Sequence, residues 1–245
     1  MNQKTLLRLS LVLNLVFILT GSIYLIRKLE LKEAEHFRAQ RANDAVPAAR
    51  GDFISTLDWG WQAQLYEREP VQNGAVIFLG DSITEGGHWD QVWRGRALKP
   101  ILNRGLAGDT IEGVIARIGE VVRHHPSKIF VMIGINDLRS QRTTPDDLVR
   151  QYKAFIQELS ERSPESQIYV ESLLPTSDWT NDEVKEVNRQ LSEVAAGGRV
   201  RYVDIHSLMT DEKGELKKAW TFDGVHIRAA AYQKWQEYVW PSVDG

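Results

Sequence analysis

The sequence predicts an α/β protein, a three-layer α/β/α sandwich built on a parallel sheet of five strands. Three observations carry this. Five short apolar runs recur along the chain, each too short for a core helix and bounded by glycine or polar residues. A helical stretch separates each run from the next, which implies right-handed βαβ crossovers. Polar, glycine-containing segments follow the carboxyl ends of the strands, where sheets of this kind gather their working residues.

The first element is not part of the sheet. Leu9 to Ile26 is an 18-residue stretch without a charge, bounded by Lys4 and Arg8 before it and Arg27 and Lys28 after it. That length just spans the hydrocarbon core of a bilayer, so residues 1–28 read as a single-pass membrane anchor. A cleaved signal peptide is the alternative, but no clean small-x-small site follows the run. Residues 29–50 are charged and alanine-rich, a helical stalk that frays near Pro47. Basic residues are denser after the span than before it, which favours a cytoplasmic C-terminal side, yet that rule weakens for long following domains.

The globular domain occupies residues 51–245. Phe53 to Arg68 suits a helix packed on the sheet. The expected strands are Ala75–Leu79, Ile101–Arg104, Ile129–Ile133, Gln167–Ser172 and Val200–Ile205. The expected helices between and after them are Trp89–Ala97, Thr110–His124, Pro145–Glu161, Asp182–Ala196 and Ala229–Tyr238.

Composition narrows the function. At 245 residues with 42% hydrophobic content, the chain can bury one substantial core. A net charge of −3 carries no electrostatic footprint for nucleic acid, so no nucleic-acid partner is expected. With no cysteine there is no disulfide, thiolate metal site or cysteine nucleophile. No metal-ligand cluster stands out, and GDSITEGG lacks the lysine of a phosphate loop, so no cofactor is expected.

The strand ends hold a set of reactive groups. Gly80-Asp81-Ser82 follows the first strand, and Asn103 to Thr110 (NRGLAGDT) follows the second. Gly134-Ile135-Asn136-Asp137 follows the third, and Thr221 to His226 (TFDGVH) precedes the last helix. Ser82 is the candidate nucleophile, His226 the general base and Asp223 the group that orients the imidazole. The N–H groups of Ser82 and Gly108 and the amide of Asn136 are candidate oxyanion donors. Each piece alone is weak, since Asx and Ser residues crowd ordinary turns. Four pieces at the correct edge and in this order are a strong joint signal.

These residues resemble the four blocks of the SGNH/GDSL family of serine esterases, whose letters stand here as Ser82, Gly108, Asn136 and His226, with Asp223 before the histidine. The likeness covers about residues 75 to 240. Ile83 replaces the leucine of GDSL and Ile227 the leucine usual after the histidine, and neither is a reacting group. The resemblance implies a flavodoxin-like sheet and ester hydrolysis through an acyl-serine. GDSITEGG, NRGLAGDT and MIGINDL are similar to the branch holding carbohydrate acetylesterases and platelet-activating-factor acetylhydrolase-like proteins, which implies short acyl groups. Many members are exported, which implies an extracytoplasmic domain.

The expected function is therefore a membrane-anchored esterase acting on a small-molecule or glycan ester. Lipid acyl esters (lysophospholipase or thioesterase action) and a non-catalytic binding module are the alternatives. Trp89 and Trp179 are candidate substrate-binding residues. His206 is a rival to His226, disfavoured because it lacks a carboxylate three residues before it.

Overall fold

The computed structural model describes residues 53–141 and 143–245. The expected anchor and stalk therefore lie outside the described residues. Among the described residues, no helix is long and apolar enough to cross a membrane.

The chain opens on α1 (Phe53–Arg68), then β1 (Val76–Gly80) and two short helices, α2 (Ser82–Glu85) and α3 (Trp89–Val92). β2 (Ile101–Gly105) follows, with α4 (Ile111–Ala116) and α5 (Ile118–Val122), then β3 (Lys128–Met132) with α6 (Ile135–Arg139) and α7 (Pro145–Arg162). β4 (Gln167–Glu171), α8 (Asn181–Val194), β5 (Ala196–Gly197) and β6 (Val200–Val203) complete the sheet. The chain closes with α9 (His206–Met209), a 3₁₀ turn at Lys218–Trp220 and α10 (Ala229–Asp244).

The sheet runs in the order β2-β1-β3-β4-β6-β5. Its five principal strands are parallel, as expected, and only β5 is antiparallel, pairing with β6. Right-handed crossovers then dictate the layers: β1 to β2 steps one way and every later crossover steps the other, so α3 lies on one face and α4, α5, α7 and α8 on the opposite one. α10 joins the α3 face, because Trp235 meets the Trp89 ring edge-on at 4.9 Å.

Continuous apolar strands fit this two-sided burial. Phe78, Phe130 and Tyr169 occupy one register across β1, β3 and β4, and their rings stack at 4.7 and 4.4 Å. Trp89 extends the ladder by stacking on Phe78 at 4.1 Å. Each such pair adds about 0.5–1.5 kcal/mol beyond its buried area.

Several boundaries differ from the expected ones for local reasons. The helix expected from Trp89 to Ala97 stops at Val92, and Gly95 just beyond it holds a left-handed φ of 75°. The helix expected over Thr110–His124 breaks at Arg117, whose side chain turns inward. Ala196, expected to end a helix, instead forms β5 with Gly197. The last helix runs past Tyr238 and through Pro241, with Val239 and Val243 buried beneath its final turns.

Candidate active site

Ser82 begins α2 directly beyond the end of β1, so its hydroxyl stands at the carboxyl edge of the sheet. Asp81 caps this turn, its Oδ1 accepting from the Ile83 N–H at 2.9 Å. Gly80 leaves no space for a side chain: a Cβ there would collide with the Met132 carbonyl and the Thr84 hydroxyl. That close approach lets the turn fold tightly against β3.

His226 reaches Ser82 across 144 residues of sequence, with Oγ and Nε2 3.0 Å apart. Its Nδ1 lies 2.6 Å from Asp223 Oδ2. A carboxylate only accepts, so Nδ1 carries the proton and Nε2 of the neutral ring is free to accept from the serine. Asp223 is itself held in place, its Oδ1 accepting from the N–H groups of Val225 and His226 at 3.0 and 2.8 Å. Partial burial acts to raise the Asp223 pKa, but the hydrogen bonds from His226 and these amides outweigh it and hold the carboxyl below the ordinary aspartate range. His206, the rival histidine, instead sits 3.2 Å from Thr210 Oγ1.

Gly108 lies in the loop between β2 and α4 with φ +77°, a conformation that glycine adopts without strain. Asn136 sits in the first turn of α6, and its Nδ2 donates to the Asp109 carbonyl at 2.8 Å. An amide nitrogen carries two hydrogens, so this bond steadies the side chain and leaves one donor for a ligand. The structure thus brings Ser82, Asp223 and His226 together in one bonded series and ties Asn136 to the residue after Gly108.

Three aspartates are buried behind these residues: Asp81, Asp109 and Asp137, each adjacent to one of Ser82, Gly108 and Asn136. Burial, with the neighbouring Asp109 and Asp137 charges adding to it, pushes Asp81 up to about 7. Burial likewise raises Asp137 to about 7, against the N–H of Ile111, which donates to its carboxylate. Arg117 supplies a compensating cation. Its Nε donates to Asp109 Oδ2 at 2.8 Å, and its Nη2 reaches the carbonyls of Gly80 at 3.1 Å and Arg104 at 2.8 Å.

One expectation needs correction. Trp89 does not line the site: it is fully buried, stacked on Phe78, with its Nε1 donating to the Thr84 carbonyl at 2.7 Å. An indole this large satisfies its one donor in the core and gains more from packing than from exposure. Trp179 is exposed on the loop between β4 and α8. Arg117 and Phe222 escaped the sequence reading. Arg117 has no motif, and the only signal for it is that a buried Asp109 needs a cation. Phe222 stands beside Asp223 in sequence, but its exposure is set by the fold.

Comparison with known proteins places this geometry in context. The model of the GDSL-like lipase/acylhydrolase family matches residues 78–234. The chain is 28% identical over 166 residues to the human platelet-activating factor acetylhydrolase IB subunit alpha1, covering 64% of this chain and 70% of that protein. Among solved structures, a GDSL-like lipase of Bacteroides thetaiotaomicron superposes with a TM-score of 0.63 at 18% identity, over 76% of this chain and 97% of the other. An acetyl-xylooligosaccharide esterase of Geobacillus gives a TM-score of 0.58 at 17% identity, over 72% and 96% of the two chains. At such identities the structural likenesses speak for the fold alone.

Proposed function

The chain belongs to the GDSL-like lipase/acylhydrolase family, and from that premise we propose that it hydrolyses short acyl esters, acetyl above all, carried on a carbohydrate. Family membership makes it a carboxylic ester hydrolase. The single observation that carries the mechanism is the series Ser82 Oγ, His226 Nε2, His226 Nδ1 and Asp223 Oδ2, with steps of 3.0 and 2.6 Å across its two side-chain contacts.

In this reading Ser82 Oγ attacks the acyl carbon while its proton passes to His226 Nε2. The carbonyl electron pair moves onto oxygen, where the N–H groups of Ser82 and Gly108 and the free hydrogen of Asn136 Nδ2 meet it. Collapse breaks the bond to the alcohol oxygen, which takes the proton from Nε2 and leaves an acyl-Ser82. Water then attacks the acyl carbon, gives its proton to Nε2, and Ser82 Oγ departs and regains that proton. The products are the alcohol and the carboxylic acid. Asp223 stays ionised throughout and stabilises the imidazolium.

The preference for acetyl draws support from the human relative, whose name makes it an acetylhydrolase. We further propose that Leu9 to Ile26 anchors the protein in a membrane and that the catalytic domain lies outside the cytoplasm. The uncharged length supports the anchor, and the family's habit of export supports the side. A chain-length series of p-nitrophenyl esters tests the substrate class. Turnover falling steeply beyond acetyl is expected; a preference for long chains would favour lipid esters, and no turnover at all would leave a binding module.

A further inference from the structure

Phe222 is 66% exposed, although it directly precedes Asp223. Its ring is parallel to the His226 imidazole within 9°, with the centroids 6.1 Å apart. The backbone around it is pinned: Thr221 Oγ1 donates to the His226 carbonyl at 2.7 Å and accepts from the Gly224 N–H at 2.8 Å. The neighbouring loop carries another exposed aromatic ring, Trp179, 54% exposed, and the Ser177 N–H on that loop donates to the Gly224 carbonyl at 2.9 Å. Asp178, between Ser177 and Trp179, is ion-paired to Arg139 of α6, the helix that holds Asn136. A large ring left in water on a braced loop beside a reacting group is well placed to contact a ligand.

We propose that Phe222 determines specificity for the alcohol half of the ester, and that this alcohol is a saturated ring of the sugar type. The inference rests on the ester-hydrolase reading above. His226 Nε2 returns its proton to the leaving oxygen, so the alcohol must lie against the imidazole. The acyl group lies on the other side, with its oxygen aimed at Gly108 and Asn136. A ring beside the imidazole is thus placed to meet the alcohol that the imidazole protonates. The face of an aromatic ring carries negative charge density and attracts the C–H edges of a pyranose laid across it. An alkyl chain gains instead from enclosure, and here the mouth is open: the His226 and Asp223 side chains keep 41% and 40% of their exposure.

The test compares the full chain in detergent with its Phe222→Ala and Phe222→Leu variants on acetylated methyl xyloside, ethyl acetate, octyl acetate and ethyl butyrate. Both variants should raise KM for the acetylated xyloside about three- to tenfold, the size of one aromatic contact. Turnover of ethyl acetate and of ethyl butyrate should stay within about twofold of the parent, as should the acid limb of the pH profile of kcat/KM. An equal loss on every alcohol, a loss that follows acyl length, or a shifted pH limb would overturn the assignment, the last by showing that Phe222 acts through His226. A loss concentrated on octyl acetate, or full rescue by leucine, would overturn the sugar-ring alcohol. A parent chain inert toward all four esters would overturn the hydrolase reading itself, an outcome distinct from the others.

Discussion

Asn136 Nδ2 donates to the main-chain carbonyl of Asp109 at 2.8 Å, joining the first turn of α6 to the loop after β2. The two residues are 27 apart in sequence, and the bond sets the distance between two of the groups assigned to the oxyanion. It also means that Asn136 has a structural role and a proposed chemical one at the same atom.

Asn136→Ala should lower kcat by about 10²–10³ with little change in KM, because the lost donor acts mainly in the transition state. Steady-state kinetics on a short ester, with a folding check by circular dichroism, measures it. Normal kcat in a folded variant would reduce Asn136 to its tie with Asp109.

Ser82→Ala and His226→Ala should each remove about 10⁴-fold or more of the activity, and the double variant should be little worse, since the two act as one unit. Losses below tenfold in either folded variant would sink the assignment.

Arg117→Met should destabilise the protein by about 3–5 kcal/mol, because it strands Asp109 as a buried charge and frees the Gly80 and Arg104 carbonyls. Adding Asp109→Asn should restore part of the loss, as the asparagine can still accept from the Thr110 N–H that now donates to Asp109 Oδ1 at 3.0 Å. Urea midpoints of the single and double variants decide it; identical midpoints would show that the Asp109 charge is not what Arg117 offsets.

Stability should fall as pH rises towards 8, and Glu171 should be a principal cause. Burial pushes this carboxyl from an ordinary 4.5 up to about 8, with the Trp235 indole N–H, 2.7 Å away, opposing the shift. Between those values the folded state keeps a proton that the unfolded chain has released, so the contribution is complete below 4.5 and lost as pH passes through about 8. The limiting slope is about 1.4 kcal/mol per pH unit. Glu171→Gln keeps an acceptor for Trp235 and cannot ionise, so its urea midpoints from pH 5 to 9 should lose this slope. An unchanged slope would place the titration elsewhere.

The full chain should remain in the membrane fraction after a high-salt wash, which screens peripheral electrostatic binding but leaves an inserted helix in place. A form beginning at Arg50 should be soluble and hydrolyse small esters. Protease added to intact spheroplasts should digest the domain; survival until the membrane is opened would put it in the cytoplasm.

Much of the fold was legible in the sequence because parallel strands are buried on both faces. Runs such as Val76–Leu79 and Ile129–Met132 had to be almost wholly apolar, and their spacing left room only for crossover helices. Ser82, Gly108, Asn136, Asp223 and His226 were legible as well, because each sits where a strand ends or a helix begins and local chain chemistry marks such places. What local chemistry does not mark was decided by tertiary structure. Trp89 and Trp179 are the same residue type on comparable helix-flanking segments, yet one is sealed between Phe78 and Trp235 and the other stands in solvent. Arg117 looked like any charge on an amphipathic helix until Asp109, Gly80 and Arg104 converged on it and broke that helix. Periodicity records which residues must leave water, but the partner that a buried charge or an exposed ring finds depends on contacts between distant segments, which exist only once the sheet has assembled.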